Sequence, residues 1–155
     1  MYVIERSQVV GLPLEQAFEF FSDPRNLPRI TPPWLGFTVL AAPERLFASC
    51  EMRYTIRWLR IPVSWTTVIT DYEPNVCFTD EQKSGPYRRW WHEHRFAPRG
   101  DTTLMTDRIE YEMPFGLIGR LVHALVVRRQ LREILEYRSN AARVMFPVRA
   151  GVDDA

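Results

Sequence analysis

Cysteine is scarce in this 155-residue chain, with only Cys50 and Cys77, and neither belongs to a C-x-x-C pair. Two isolated thiols exclude a disulfide scaffold and read as reduced, half-buried side chains. The seven glycines are scattered and form no phosphate-cradling loop, which excludes a nucleotide fingerprint. Neither sign of charge prevails, since 20 Lys and Arg stand against 19 Asp and Glu for a net +1. With no basic stripe to neutralise successive phosphates, the expectation is no nucleic-acid binding. Long apolar runs are missing too: no segment approaches the roughly 18 residues of a membrane span. Glu5 and Arg6 stand where a signal peptide would need apolar residues, so a cytoplasmic protein with no stable membrane insertion is expected. No Ser or Cys sits in a recognisable nucleophile setting, which leaves covalent acyl chemistry without support.

Aromatic residues, by contrast, are plentiful: they make up 13% of the chain and include five Trp, a composition suited to lining a pocket with large apolar surface. The length fits one domain, expected over residues 1–146, with 147–155 as a frayed tail. Tyr2 to Val10 reads as a first strand, and Leu14, Ala17, Phe18 and Phe21 follow Pro13 at helical spacing. Asn26 to Ile30 is compatible with one further turn, Thr31-Pro32-Pro33-Trp34 is expected to be extended, and Leu35 to Leu40 reads as a strand. Glu51 to Leu59 alternates, Arg60 to Pro62 is expected to be a tight connection, and Val63 to Thr70 returns as the partner strand. Val76 to Lys83 is the next strand. After Pro114 the period changes: Leu117, Leu121, Leu125, Leu131, Leu135, Arg138 and Ala142 recur at three and four residues, which predicts one helix from Phe115 to Phe146 about 45 Å long.

The densest chemistry lies in GPYRRWWHEHRF, from Gly85 to Phe96. In an extended chain Trp90, His92, His94 and Phe96 share one face, and in the next run Met105, Asp107, Ile109, Tyr111 and Met113 do likewise. A turn-like Ala97 to Thr102 joins the two, so they should pair as a hairpin and set Asp107 opposite His92 or His94. By the same alternation Tyr54, Trp58, Trp65 and Thr67 face inward, as do Asp80 and Gln82 beside Phe78, provided no bulge intervenes. So many buried polar groups must bond one another, hold water or meet a ligand. The His92-x-His94 spacing can chelate a metal with Asp80 or Asp107 as third ligand, but two histidines without Cys at ligand spacing are a weak signal, and no metal or cofactor is assigned. An imidazole oriented by a carboxylate is better suited to proton transfer on a carbonyl or enol. His123 reads as an exposed or half-buried helix residue outside the site, and Arg128, Arg129 and Arg132 as a solvated face.

The segments TPPWLGF from Thr31, IPVSWTTVI from Ile61, FTDEQKSGPYRRWWHEHRF from Phe78, TDRIEYEMPFG from Thr106 and RRQLREILEYR from Arg128 carry a resemblance to bacterial ligand-binding proteins of the START-like (SRPBCC) superfamily, polyketide cyclases among them. The resemblance spans Val3 to about Phe146. It implies an α+β helix-grip fold: a curved antiparallel sheet of six or seven strands around a long carboxy-terminal helix, one or two short helices after the first strand, and a cavity between sheet and helix.

Three functions follow as expectations. The first is binding of a hydrophobic small molecule, lipid-like or polycyclic, by Tyr54, Trp58, Trp65, Thr67, Asp80, Gln82, Trp90, His92, His94, Phe96, Asp107 and Tyr111. The second is a cofactor-independent cyclase or dehydratase in which His92, His94 and Asp107 are catalytic. The third is a protein-interaction module with a vestigial cavity. A monomer or homodimer is expected in each case.

Overall fold

The computed structural model describes residues 1–58 and 60–149. Strand β1 (Tyr2–Val10) leads through Pro13 into helix α1 (Leu14–Phe21), whose buried face is Ala17, Phe18 and Phe21, as the three- and four-residue spacing requires. The Ser22 hydroxyl closes that helix by donating to the Phe18 carbonyl at 2.6 Å. Asp23 then accepts the Arg25 backbone N–H at 2.9 Å and opens a 3₁₀ segment, Pro24–Ile30. A second 3₁₀ turn, Pro33–Leu35, replaces the extended stretch expected there. Pro33 can occupy the first position of a turn because its missing N–H is not needed, and Gly36, left-handed at φ 57°, ends the turn. Strand β2 is consequently shorter and later than the expected strand, running Thr38–Ala41.

The remaining strands are β3 (Glu51–Trp58), β4 (Ile61–Glu73), β5 (Cys77–Ser84), β6 (Arg89–Arg99) and β7 (Thr102–Glu112). Ile61 and Pro62 belong to β4 rather than to a connection, paired with Trp58 and Arg57; Leu59 lies outside the described residues. All neighbours are antiparallel in one seven-stranded sheet of order β1-β7-β6-β5-β4-β3-β2, so β1 returns beside the last strand and the curved sheet ends on β1 and β2. The β4–β5 register shifts at Thr66/Thr67 and at Ile69/Asp71, bulges that bend the long β4.

A helical run of 30 residues follows. It consists of α2 (Gly116–Val122), a π turn (His123–Val127) and α3 (Arg128–Met145), so the single uniform helix of the sequence reading carries an inserted wide turn in its first half. The wide turn opens at His123. This histidine was expected to be exposed or half-buried, yet it is buried, stacked on Tyr2 with ring centroids 3.6 Å apart and hydrogen-bonded through Nε2 to the Tyr111 hydroxyl at 2.8 Å. His123 and Val127 of the π turn are buried, while Leu121, Leu125 and Val126 are exposed. Gly119 allows α2 to start against the chain, because a Cβ there would collide with the Pro114 carbonyl oxygen.

Buried side chains form two clusters. Phe18, Phe21, Phe78, Phe96, Met105 and Ala142 belong to one; Trp65, Tyr87, Tyr111, Leu131 and Leu135 belong to the other. Cys50 and Cys77 are both buried free thiols. Of the tail expected at 147–155, residues 150–155 lie outside the described residues.

Candidate functional site

Between the two clusters lies a cavity of about 140 Å³, walled by β3, β4, β5 and β6 and roofed by α3. Pockets for drug-sized ligands run from roughly 300 to 1,000 Å³, whereas about 150 Å³ holds one benzene-sized ring, so the enclosed space suits a compact molecule. Tyr54, Trp58, Trp65, Thr67, Asp80, Trp90, His92 and His94 line it.

The other four residues of the sequence reading stand elsewhere. Gln82 clamps the β5–β6 loop: its Nε2 donates to the Tyr87 carbonyl at 2.7 Å and its Oε1 accepts the Tyr87 N–H at 3.2 Å. Phe96 is packed edge-on against Phe18, centroids 5.2 Å apart. Tyr111 faces His123, and burial, reinforced by Tyr2, pushes its hydroxyl up to about 12. Asp107 lies behind the two imidazoles, opposite His94 in the β6–β7 register.

His92, His94 and Asp107 are 4%, 4% and 5% exposed. His94 bridges two carboxylates, Nδ1 lying 2.7 Å from Asp107 Oδ1 and Nε2 3.3 Å from Asp80 Oδ2. His92 reaches the same pair, Nε2 to Asp107 Oδ1 at 3.2 Å and Nδ1 to Asp80 Oδ2 at 3.5 Å. The imidazoles overlap at 3.9 Å between centroids, and Phe78 stacks on His94 at 4.3 Å. Burial alone would raise Asp107, but the His92 and His94 hydrogen bonds outweigh it and hold the carboxyl well below the usual range. Burial also opposes ionisation of Asp80, and the His94 hydrogen bond with the charges around it keeps Asp80 low. For His94 the desolvation that disfavours charge is overcome by hydrogen bonds to Asp107 and Asp80, so its value rises; for His92 burial wins, helped by His94, and its value falls. The two carboxylates thus favour the charged form of His94 more than that of His92. Thr67 adds a hydroxyl, donating to the Glu81 carbonyl at 2.9 Å and lying 3.3 Å from Asp80 Oδ1.

Among the lining residues that the sequence reading did not place in the site, Arg138 and Tyr87 carry polar groups. Arg138 of α3 is half-buried at the cavity, and its charge favours the ionised forms of Asp80 and Asp107. Its signal was an arginine on the stripe that otherwise carries Leu131, Leu135 and Ala142. Tyr87, in the loop after β5, completes an aromatic wall with Trp65 and Trp90, 5.6 and 4.9 Å away; burial pushes its hydroxyl above its ordinary value. The Nε1 atoms of Trp58 and Trp65 are buried without a hydrogen-bond partner among the described residues; that of Trp58 approaches Tyr87 without hydrogen-bond geometry.

A seven-stranded sheet gripping a 30-residue helix over an inner cavity defines a START-like helix-grip protein. Residues 10–136 match the model of the family described as "Polyketide cyclase / dehydrase and lipid transport", and the chain belongs to that family. No curated protein matches it. Among solved structures it is similar to a START superfamily protein from Mycobacterium smegmatis, with 16% identity, a TM-score of 0.69, and 92% of this chain and 98% of that one covered. Major latex-like protein 151 from Panax ginseng is 12% identical with a TM-score of 0.69, covering 94% and 97%. The di-domain ARO/CYC BexL of the BE-7585A biosynthetic pathway is 16% identical with a TM-score of 0.68, covering 94% of this chain and 47% of that one. At these identities the likeness shows the fold.

Proposed function

We propose that the protein binds a compact hydrophobic small molecule, one ring or a short chain in size, with an oxygen acceptor at its polar end. The observation that carries this reading is the indole N–H of Trp65, a residue of the cavity wall: it is buried without a partner among the described residues, and a turn of the ring would bring it to a ligand oxygen. A buried unpaired donor costs on the order of 1–3 kcal/mol, a cost that a ligand oxygen offsets. Trp90, Tyr87 and Ile56 supply apolar contact, and His92, His94 and Asp80 face the handle. A lipid-like or polycyclic ligand requires the cavity to enlarge.

The setting we assign is cytoplasmic, supported by the two buried free thiols, with the chain acting as a monomer or homodimer and without nucleic acid. No helix among the described residues is long and apolar enough to cross a membrane.

A second reading, a cofactor-independent cyclase or dehydratase, is favoured by His94, whose ring joins Asp107 to the cavity-lining Asp80. In this role His92, held below its ordinary value, takes a proton from a carbon beside a carbonyl, and His94, held above its own, returns one to the enolate oxygen. Native mass spectrometry of the freshly purified protein, followed by tryptophan-fluorescence titration with phenol and short-chain carboxylic acids, tests binding. A 1:1 occupant whose affinity falls about 3- to 10-fold in Trp65→Phe is expected, the worth of one hydrogen bond. No occupant and no titration by any probe would overturn the reading. His92→Ala with His94→Ala separates the roles: affinity falls modestly in a carrier, turnover collapses in an enzyme.

A further inference from the structure

We infer that Asp80, His92 and His94 form a binding site for one divalent transition-metal ion of the zinc, cobalt or ferrous class, at the polar end of the cavity. The ligand atoms are Asp80 Oδ2, His92 Nδ1 and His94 Nε2. Asp80 Oδ2 lies 3.5 Å from the first nitrogen and 3.3 Å from the second. Two donors each about 2.1 Å from a tetrahedral ion stand about 3.4 Å apart, which is the separation found here. All three residues offer ligand atoms within 4.8 Å of one another, so closing the third edge takes a small rotation of two rings whose centroids lie 3.9 Å apart at a tilt of 44°.

The opposite ring nitrogens make the case specific. His92 Nε2 and His94 Nδ1 both lie within hydrogen-bond distance of one oxygen of Asp107, at 3.2 and 2.7 Å. Asp107 is a carboxylate and accepts, so the hydrogens on those two nitrogens are fixed there, and each neutral ring then turns its lone pair towards Asp80. Two lone pairs and a carboxylate oxygen converging in a buried space repel unless something positive lies among them. A metal ion serves all three atoms at once. A carboxylate behind metal-binding histidines fixes tautomer and ring orientation in metal sites generally. Asp80 and Asp107 together carry −2 towards the ion's +2, and Arg138 at the cavity wall opposes them with +1. Asp80, His92 and His94 line the cavity whereas Asp107 does not, so the ion's open coordination positions face the space where the ligand is proposed to sit.

This inference rests on the reading of the cavity as a binding site. The test uses the full chain, stripped with EDTA and dialysed, then titrated with Co²⁺ and Zn²⁺ by calorimetry and, for Co²⁺, by visible absorption. Expected are one ion per chain, the intense d–d bands of low-coordinate Co²⁺, and their loss in Asp80→Asn and in His92→Ala. Asp107→Asn should keep the stoichiometry and weaken the ion about 10- to 100-fold. Circular dichroism checks the fold of each variant, and the wild-type titration decides even if a variant misfolds. No binding to the wild type at millimolar ion, or equal binding to well-folded Asp80→Asn, overturns the site. Repeating the phenol titration in EDTA keeps the two readings apart: phenol bound without ion leaves the cavity reading standing whatever Co²⁺ does, and Co²⁺ bound without phenol does the reverse.

Discussion

Removing the Asp107 carboxylate should be among the most costly single changes in the chain. One of its oxygens accepts from His94 at 2.7 Å and from His92 at 3.2 Å in a nearly water-free interior. Hydrogen bonds to a charged group are worth about 1.5–3 kcal/mol each, the longer one less. Asp107→Ala strips both, leaves two N–H groups facing an apolar gap and leaves His94 with Asp80 as its remaining bonded carboxylate. Breaking a buried pair from one side costs on the order of 3–5 kcal/mol. For a chain of this length each kcal/mol moves Tm by about 2–4 °C, so a fall of roughly 10 °C is expected in calorimetry, with a matching shift of the urea midpoint at unchanged m. Asp107→Asn keeps the shape and one acceptor and should lose about half as much. The double variant with His94→Ala should lose less than the sum, because the orphaned partner is gone. An Asp107→Ala protein within about 1 kcal/mol of wild type would refute the charged, coupled network on which the site is built.

Phe96→Ala should cost about 3–5 kcal/mol in urea unfolding while leaving phenol affinity unchanged, since Phe96 packs on Phe18 and not on the cavity; an affinity loss with intact stability would contradict that placement. Burial, with Arg128 adding to it, holds the His123 imidazole below its ordinary value. The unfolded chain therefore takes up that proton first, and the stability contributed by neutral His123 is present above about pH 6.5 and lost as pH falls through the lower native value. Denaturant midpoints from pH 7 to pH 5 should fall more steeply for wild type than for His123→Gln; parallel slopes would show that His123 is not the titrating group. Helix propensity alone would have Gly119→Ala stabilise by about 1 kcal/mol, but the clash with Pro114 predicts a loss of about 1–3 kcal/mol, so the sign of the Tm shift decides.

Strand faces were legible because period-two alternation survives wherever one face is buried, and so the pairing of Asp107 with a histidine could be read from a hairpin alone. What alternation cannot tell is where along a strand the cavity ends. Trp90, His92, His94 and Phe96 share one face, yet α1 packs over the Phe96 end, and His123 closes the Tyr111 end of β7. Gln82 shows the same limit: it shares a strand with Asp80 but reaches a loop, because the chain turns back at Tyr87. Arg138 was visible as a member of the helical stripe, but a lone arginine there does not announce whether it snorkels to solvent or faces a buried anion. The burial of His123 left no local signal, since it depends on Tyr2 and Tyr111, which come from strands distant in sequence.

The small size of the chamber has a kinetic corollary. On the proposed reading, a guest that outgrows a single ring would need the lining of the cavity to move, so its capture rate should level off at the breathing frequency of the protein as guest concentration rises. Selectivity is then exercised at the doorway, by how long the opened state lasts, before any atom inside has been touched.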